Sequence, residues 1–182
     1  MKELSLHILD IVENSIRAEA TSINVKIEED IHNNRFIFLV EDNGKGMDEE
    51  FVKVVKNPFK TTRTTRKVGL GISLLEEACK RCNGNLEIIS SKGGGTKIRA
   101  VMMYNHIDRA PLGDITSTIT NLIMSNPDVE FVYEHKYNDE LFLIDTKEIK
   151  NILDGVPISD ISIILWLKDY INQGLIEIRR RP

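Results

Sequence analysis

Residues 39–47 read Leu39-Val40-Glu41-Asp42-Asn43-Gly44-Lys45-Gly46-Met47. They follow an apolar run that starts at Phe36, so a buried strand over 36–40 ends in an acidic pair and then in two glycines one residue apart. A carboxylate at a strand end can accept a hydrogen bond from an amino group. The glycines let the backbone turn tightly and approach a flat ring. Strand–Asp–Gly turns are common, so the weight of this stretch depends on what the rest of the chain places beside it.

Upstream, residues 4–20 carry Leu4, Ile8, Ile11, Val12 and Ile16 at helical spacing. A second stripe holds His7, Asp10, Asn14 and Arg17, which taken alone is an ordinary solvated face. Alternation over 23–27 predicts a half-buried strand, and His32-Asn33-Asn34 a turn before the strand at 35–40. Asp48 can cap a short helix reaching Lys56, which Asn57 and Pro58 break. Residues 60–67, Lys-Thr-Thr-Arg-Thr-Thr-Arg-Lys, hold no apolar side chain and predict a mobile surface loop. The loop ends at Gly69-Leu70-Gly71, ahead of a helix over 72–81. A glycine turn at a helix N-terminus suits phosphate. Asn83-Gly84 stops that helix. Strands over 86–90 and 97–103 follow, joined through Gly93-Gly94-Gly95-Thr96.

Four stretches, "ILDIVENSIRAEAT", "VEDNGKGM", "NPFKTTRTTRKVGLGISL" and "GGGTKIRAVM", stand in this order over residues 4–104. Together they resemble the GHKL ATP-binding family, which includes gyrase, MutL and the histidine kinases. The resemblance implies an α+β chain, a two-layer α/β sandwich of the Bergerat type, with a mixed sheet and helices on one face. It implies an ATP-binding domain over 1–104 and leaves 105–182 as a small C-terminal α/β extension, either a regulatory or docking module or a packing extension that completes the ATP domain's sheet face.

The resemblance also assigns roles. Asn14 would hold Mg²⁺ between the phosphates, an amide oxygen being a hard neutral ligand. Arg17 would reach phosphate, Asp42 would accept from the adenine amino group, and Gly44 and Gly46 would let the ring approach. Met47 would pack on the ring, and Thr96 would support Asp42 directly or through water. Phe59, Lys60, Thr61, Thr62, Lys67, Val68, Gly69, Leu70 and Gly71 would form the lid and phosphate turn over ATP. Asp10 takes the place of a water-activating glutamate in the ATPase branches and is the candidate catalytic base.

"PFKTTR" and "GLGISL" are most similar to histidine kinases. Such kinases carry an upstream helix pair with the phosphoacceptor histidine, and this chain begins almost at the nucleotide helix. The expectation is a signalling protein that phosphorylates a protein partner in trans. The alternatives are a nucleotide sensor without turnover and a stand-alone ATPase. His106-Ile107-Asp108-Arg109-Ala110-Pro111-Leu112 matches a spacing found around phosphoacceptor histidines, but it lies downstream of the ATP motifs and also reads as linker punctuation.

Beyond residue 104 the pattern predicts a capped helix over 114–125, strands over 129–135 and 140–145, and helices over 146–153 and 159–173. Tyr133 and His135 read as sheet residues, Trp166 as core with a partner surface as the alternative, and Arg179-Arg180-Arg181 as a solvated tail. The net charge of −4 over 182 residues offers no broad basic surface for nucleic acid, and no apolar stretch spans a membrane. A start lacking a signal-peptide core predicts a cytoplasmic protein. Cys79 and Cys82 read as buried core cysteines rather than a zinc site, with a redox role as the alternative. The oligomeric state stays open.

Overall fold

In the computed structural model, which describes residues 2–55 and 71–180, the alternating pattern sets one side of a single sheet. The chain runs α1 (Leu4–Arg17), β1 (Ser22–Asp30), β2 (Arg35–Asp42), α2 (Glu49–Val55), α3 (Gly71–Arg81), β3 (Asn85–Ser90), β4 (Thr96–Met103), α4 (Ile115–Ser125), β5 (Glu130–Tyr137), β6 (Glu140–Asp145), α5 (Thr146–Leu153) and α6 (Ile161–Arg180). The six strands lie in the order β3-β4-β2-β1-β5-β6. Pairing is antiparallel except between β1 and β5, which makes the sheet mixed.

The register puts Ile23, Val25 and Ile27 beside Val40 and Phe38, and these side chains share the helix-covered side. A one-residue slip would turn the whole set to solvent. Leu4, Ile8, Ile11 and Val12 of α1, Leu75 of α3, Ile119 and Ile123 of α4, and Leu167 and Ile171 of α6 close the core over it. The opposite side carries ion pairs such as Lys26–Glu134 at 3.0 Å and Lys97–Glu41 at 3.7 Å. Exposed pairs of this kind contribute about 0–1 kcal/mol each.

The boundary expected at 104/105 falls in the turns after β4. Beyond it the sheet continues, because β5 pairs with β1 from Ser22↔Glu130 to Glu29↔Tyr137. Leu4 and Ser5 N–H groups donate to Pro111 and Leu112 carbonyls, so the start of α1 is tied to the segment that leads into α4.

Several expectations are corrected. The first helix ends at Arg17 rather than Ala20, because Glu19 adopts φ +60° and the Ala20 N–H turns back to the Ser15 carbonyl. His7 belongs to the core and not to a solvated face, being 4% exposed. The last helix runs from Ile161 to Arg180 rather than 159–173, since Leu175 and Ile178 continue its buried stripe. Arg179 is therefore a helix residue bonded to Glu29, not part of a solvated tail. Trp166 lies half exposed, stacked on Tyr170, and is not core. Cys79 and Cys82 are buried as expected, and burial pushes the Cys79 thiol up to about 12, which suppresses the reactive thiolate.

Candidate functional site: a pocket at the Asp42 end of the sheet

A cavity of about 390 Å³ opens where β2 and β4 meet α1, lined among others by Asn14, Ser15, Arg17, Asp42, Lys45, Gly46, Met47 and Thr96. Ile11, Asn14 and Ser15 of α1 and Ala18 at its C-cap face it, at the i, i+3, i+4, i+7 spacing of one helix face. Phe51 and Val55 of α2, Ile72 of α3 and Ile98 of β4 supply apolar wall. Apolar walls with a few placed polar groups are what a flat heterocycle needs.

Asp42 is held from two sides. Its Oδ1 accepts from the Gly44 N–H at 2.9 Å, and its Oδ2 accepts from the Ser15 hydroxyl at 2.6 Å. A carboxylate has about four acceptor positions, so further capacity faces the cavity. Thr96 stands directly opposite Asp42 in the β2–β4 register, but its hydroxyl bonds that of Ser90 at 2.9 Å. Among protein groups, Ser15 is thus the side-chain partner of Asp42. Ser90 also donates to the Gly95 carbonyl and accepts from the Met47 N–H, which ties the glycine turn to the β3–β4 turn.

The turn is glycine for a steric reason. At Gly46, φ is +66° and an added Cβ would lie 1.9 Å from the Ser91 carbonyl oxygen. Asn43 pins the turn from below, its side-chain oxygen accepting from the Thr21 and Ser22 N–H groups, both at 2.9 Å.

On α1, Arg17 donates to the Asn14 side-chain oxygen at 2.9 Å and pairs with Glu13 at 3.0 Å. The amide oxygen retains a second lone pair and suits a hard cation such as Mg²⁺. Asp10 does not line the cavity. It sits against the first residue of α3, where a Cβ on Gly71 would come within 3.0 Å of its Oδ2. Phe59, Lys60, Thr61, Thr62, Lys67, Val68, Gly69 and Leu70, and with them the expected lid, lie outside the described residues.

Asn14, Arg17, Asp42, Gly46, Met47 and Thr96, chosen from the sequence, therefore come together, and Gly44 holds Asp42 from behind. Ser15, Ser90, Lys45 and the apolar wall were missed. Ser15 was recoverable, as a small hydroxyl on the same helix face as Asn14. Ser90 was not, because its role depends on the β3–β4 pairing.

A second hollow of about 350 Å³ lies between α1 and α4 and shares Arg17. Its Glu13–Arg17 pair is an ordinary i,i+4 surface contact, and Asn121, Ser125 and Asn126 supply its other polar lining. His106 is at the far end of the sheet. Three residues after β4 ends, its Nδ1 accepts from the Asp108 N–H at 3.2 Å. The strand length alone, Thr96 to Met103, separates it from the pocket by about 23 Å.

Comparison with known proteins agrees with this fold. The profile of the histidine kinase-, DNA gyrase B- and HSP90-like ATPases matches residues 2–106, more than half of the chain, and the chain belongs to that family. Membership implies ATP binding. A putative sensor protein of Shewanella frigidimarina is 32% identical over 102 residues, covering 55% of this chain and 16% of that protein. The sensor histidine kinase YxdK of Bacillus subtilis is 30% identical over 107 residues, covering 54% of this chain and 32% of that protein. The chain thus spans a third or less of the length of these relatives. The solved N-terminal domain of a DNA repair protein aligns over 79% of this chain and 52% of its own at TM-score 0.53 and 16% identity, a likeness of fold. Among the described residues, no helix is long and apolar enough to cross a membrane.

Proposed function

We propose that the chain binds Mg²⁺·ATP and delivers the γ-phosphate to a protein partner in trans, as a signalling kinase of the histidine-kinase type. The observation that carries the reading is Asp42, held by Ser15 and Gly44 with acceptor capacity turned into a cavity of about 390 Å³. In this reading the adenine amino group donates to Asp42, and Gly46 and Met47 take the ring. Asn14 holds Mg²⁺, which when bound supplies charge neutralisation to the phosphates. Arg17, which leaves Asn14 for phosphate, and the N-terminus of α3 at Gly71 accommodate the triphosphate. An acceptor atom on the partner bonds to the γ-phosphorus as the bridging oxygen bond breaks, and ADP leaves.

The acceptor is assigned to a partner because His106 lies about a whole strand length from the pocket. The test is incubation with γ-labelled ATP and candidate partner proteins. Label on a partner, lost in Asn14→Ala, supports transfer. Tight ATP binding with neither transfer nor phosphate release would favour a nucleotide sensor, a reading also supported by Asp10 standing outside the cavity lining.

A further inference from the structure

Among the described residues the sheet ends at β6, which bonds β5 on one side only. Its six residues, Glu140-Leu141-Phe142-Leu143-Ile144-Asp145, include no lysine, arginine, proline or glycine. Edge strands usually carry lysine, other charges or proline to discourage pairing with another chain, and β6 carries charge only at its two ends, Glu140 and Asp145. The register tells which backbone groups are left over. The Phe131 N–H donates toward the β6 end, to Thr146 Oγ1, while the Glu130 N–H turns the other way, to the Thr21 carbonyl. Odd-numbered residues of β5 therefore aim at β6, and their partners there are Glu140, Phe142 and Ile144. Leu141 and Leu143 turn their N–H and C=O groups outward.

The two flanks of this edge are apolar. On the open side of the sheet, Leu141 is 57% and Leu143 47% exposed. On the helix side, α6 is seated so closely that a Cβ on Gly174 would come within 2.1 Å of the Phe142 ring. That seat brings Tyr170 to 5.5 Å from Phe142, and Trp166 stacks on Tyr170 at 5.2 Å. Trp166 and Tyr170 are 51% and 45% exposed. Aromatic residues in this situation are what protein interfaces enrich.

We infer that β6 pairs with β6 of a second copy of this chain, antiparallel about a two-fold axis through Leu143, so that two sheets become one. Charge selects both the occupant and the register. Centred on Leu143, the pairing places Leu143 against its own copy and Leu141 against Asp145. It brings the Asp139 carboxylate toward Lys147 of the second copy, twice by symmetry. Centred on Phe142, the same backbone groups would pair, but Asp139 would stand opposite Asp145, and like charges face to face destabilise. The two-fold axis is perpendicular to the sheet, so both α6 helices stay on one side. The two Trp166–Tyr170 stacks then meet across the seam, and Leu143 meets Leu143 on the other side.

Sedimentation velocity of the full chain at micromolar concentration tests this. The expected mass is twice the 20.8 kDa of one chain. Leu143→Lys sets two ammonium groups against each other at the axis and returns the mass to one chain. Trp166→Ala raises the dimer dissociation constant about tenfold or more. Should Leu143→Lys fail to fold, Leu143→Cys with a short bis-maleimide decides: a covalent dimer is expected, and none from Glu87→Cys on the opposite edge strand. A wild-type chain of single mass overturns the inference. So does a dimer untouched by Leu143→Lys, or equal cross-linking at both edges.

Discussion

Asp42 and Glu29 stand on neighbouring strands, on the same side of the sheet, near opposite ends. Asp42 receives two protein donors and faces an open cavity. Glu29 is enclosed. Its carboxylate accepts from His135 Nε2 at 2.8 Å, from the Tyr104 hydroxyl at 3.3 Å and from Arg179. With Nε2 donating, His135 Nδ1 accepts from the Tyr133 hydroxyl at 2.7 Å, so the fully buried imidazole is satisfied on both sides. Arg179 also covers the Tyr137 ring at 5.5 Å. The difference separates two uses of a carboxylate near the core. One keeps acceptor capacity for a ligand, and the other is saturated by protein donors and fastens β1, β5 and α6 together.

The largest effect should come from breaking the enclosed end. Glu29→Ala leaves Arg179 and His135 without their acceptor, and loss of one member of a buried charge cluster costs about 3–5 kcal/mol. Urea unfolding should show that loss while ATP affinity in the folded protein stays the same. If ATP affinity falls in parallel, the two ends are not independent.

Asp42→Ala should do the reverse. A hydrogen bond to a charged group contributes about 1.5–3 kcal/mol, so calorimetry should show ATP affinity falling about 10- to 100-fold, with a smaller change in the unfolding midpoint. Undiminished binding would remove Asp42 from the adenine site. Ser15→Ala sharpens the same point more gently. Loss of one hydrogen bond of about 1 kcal/mol predicts ATP binding weaker by roughly fivefold, because the Asp42 carboxylate then loses its side-chain support.

The most diffuse effect is in the pH dependence. Burial, with a minor contribution from the chain's N-terminal charge, lowers the His7 pKa to about 4. The unfolded chain takes up that proton first, so stability declines as pH falls from about 6.5 toward 4. His135 is lowered by burial, against the pull of Glu29, and adds to the same acid loss. At Glu29, burial raises the pKa, but the His135 hydrogen bond and the Arg179 charge outweigh it and hold the carboxyl below its usual range. Its contribution therefore also disappears as pH falls through that lowered value. Thermal melts across pH 4–8 should flatten in His7→Phe, with the remaining slope shared between the enclosed end and surface carboxylates such as Asp30 and Asp114, which hydrogen bonds also hold below the usual range.

The two ends also differ in how far they could be read from the chain. At the open end, Asp42, Gly44 and Gly46 lie within five residues, and Asn14 lies on a helix whose face is marked by its spacing. These are local signals, and the pocket forms where they converge. At the enclosed end, Tyr133 and His135 were read as strand residues, and the structure agrees. Nothing local connects either of them to Glu29 over a hundred residues earlier, or to Arg179, which lies in the last turn of a helix that was read too short. Trp166 was misread because a lone tryptophan on an amphipathic helix has the same pattern whether it points inward or rides beside an edge.

By itself the sequence determined the strand and helix periods, the glycine turn with its carboxylate, and the order of four motifs that marks an ATP-binding chain. Only the tertiary structure decided that β5 lies beside β1, that Ser15 donates to Asp42, and that Arg179 closes over Glu29. The physical reason is range. Dihedral preferences and hydrophobic periods act over a few residues, while the pairing of distant polar groups is set by which buried faces meet once the core has closed.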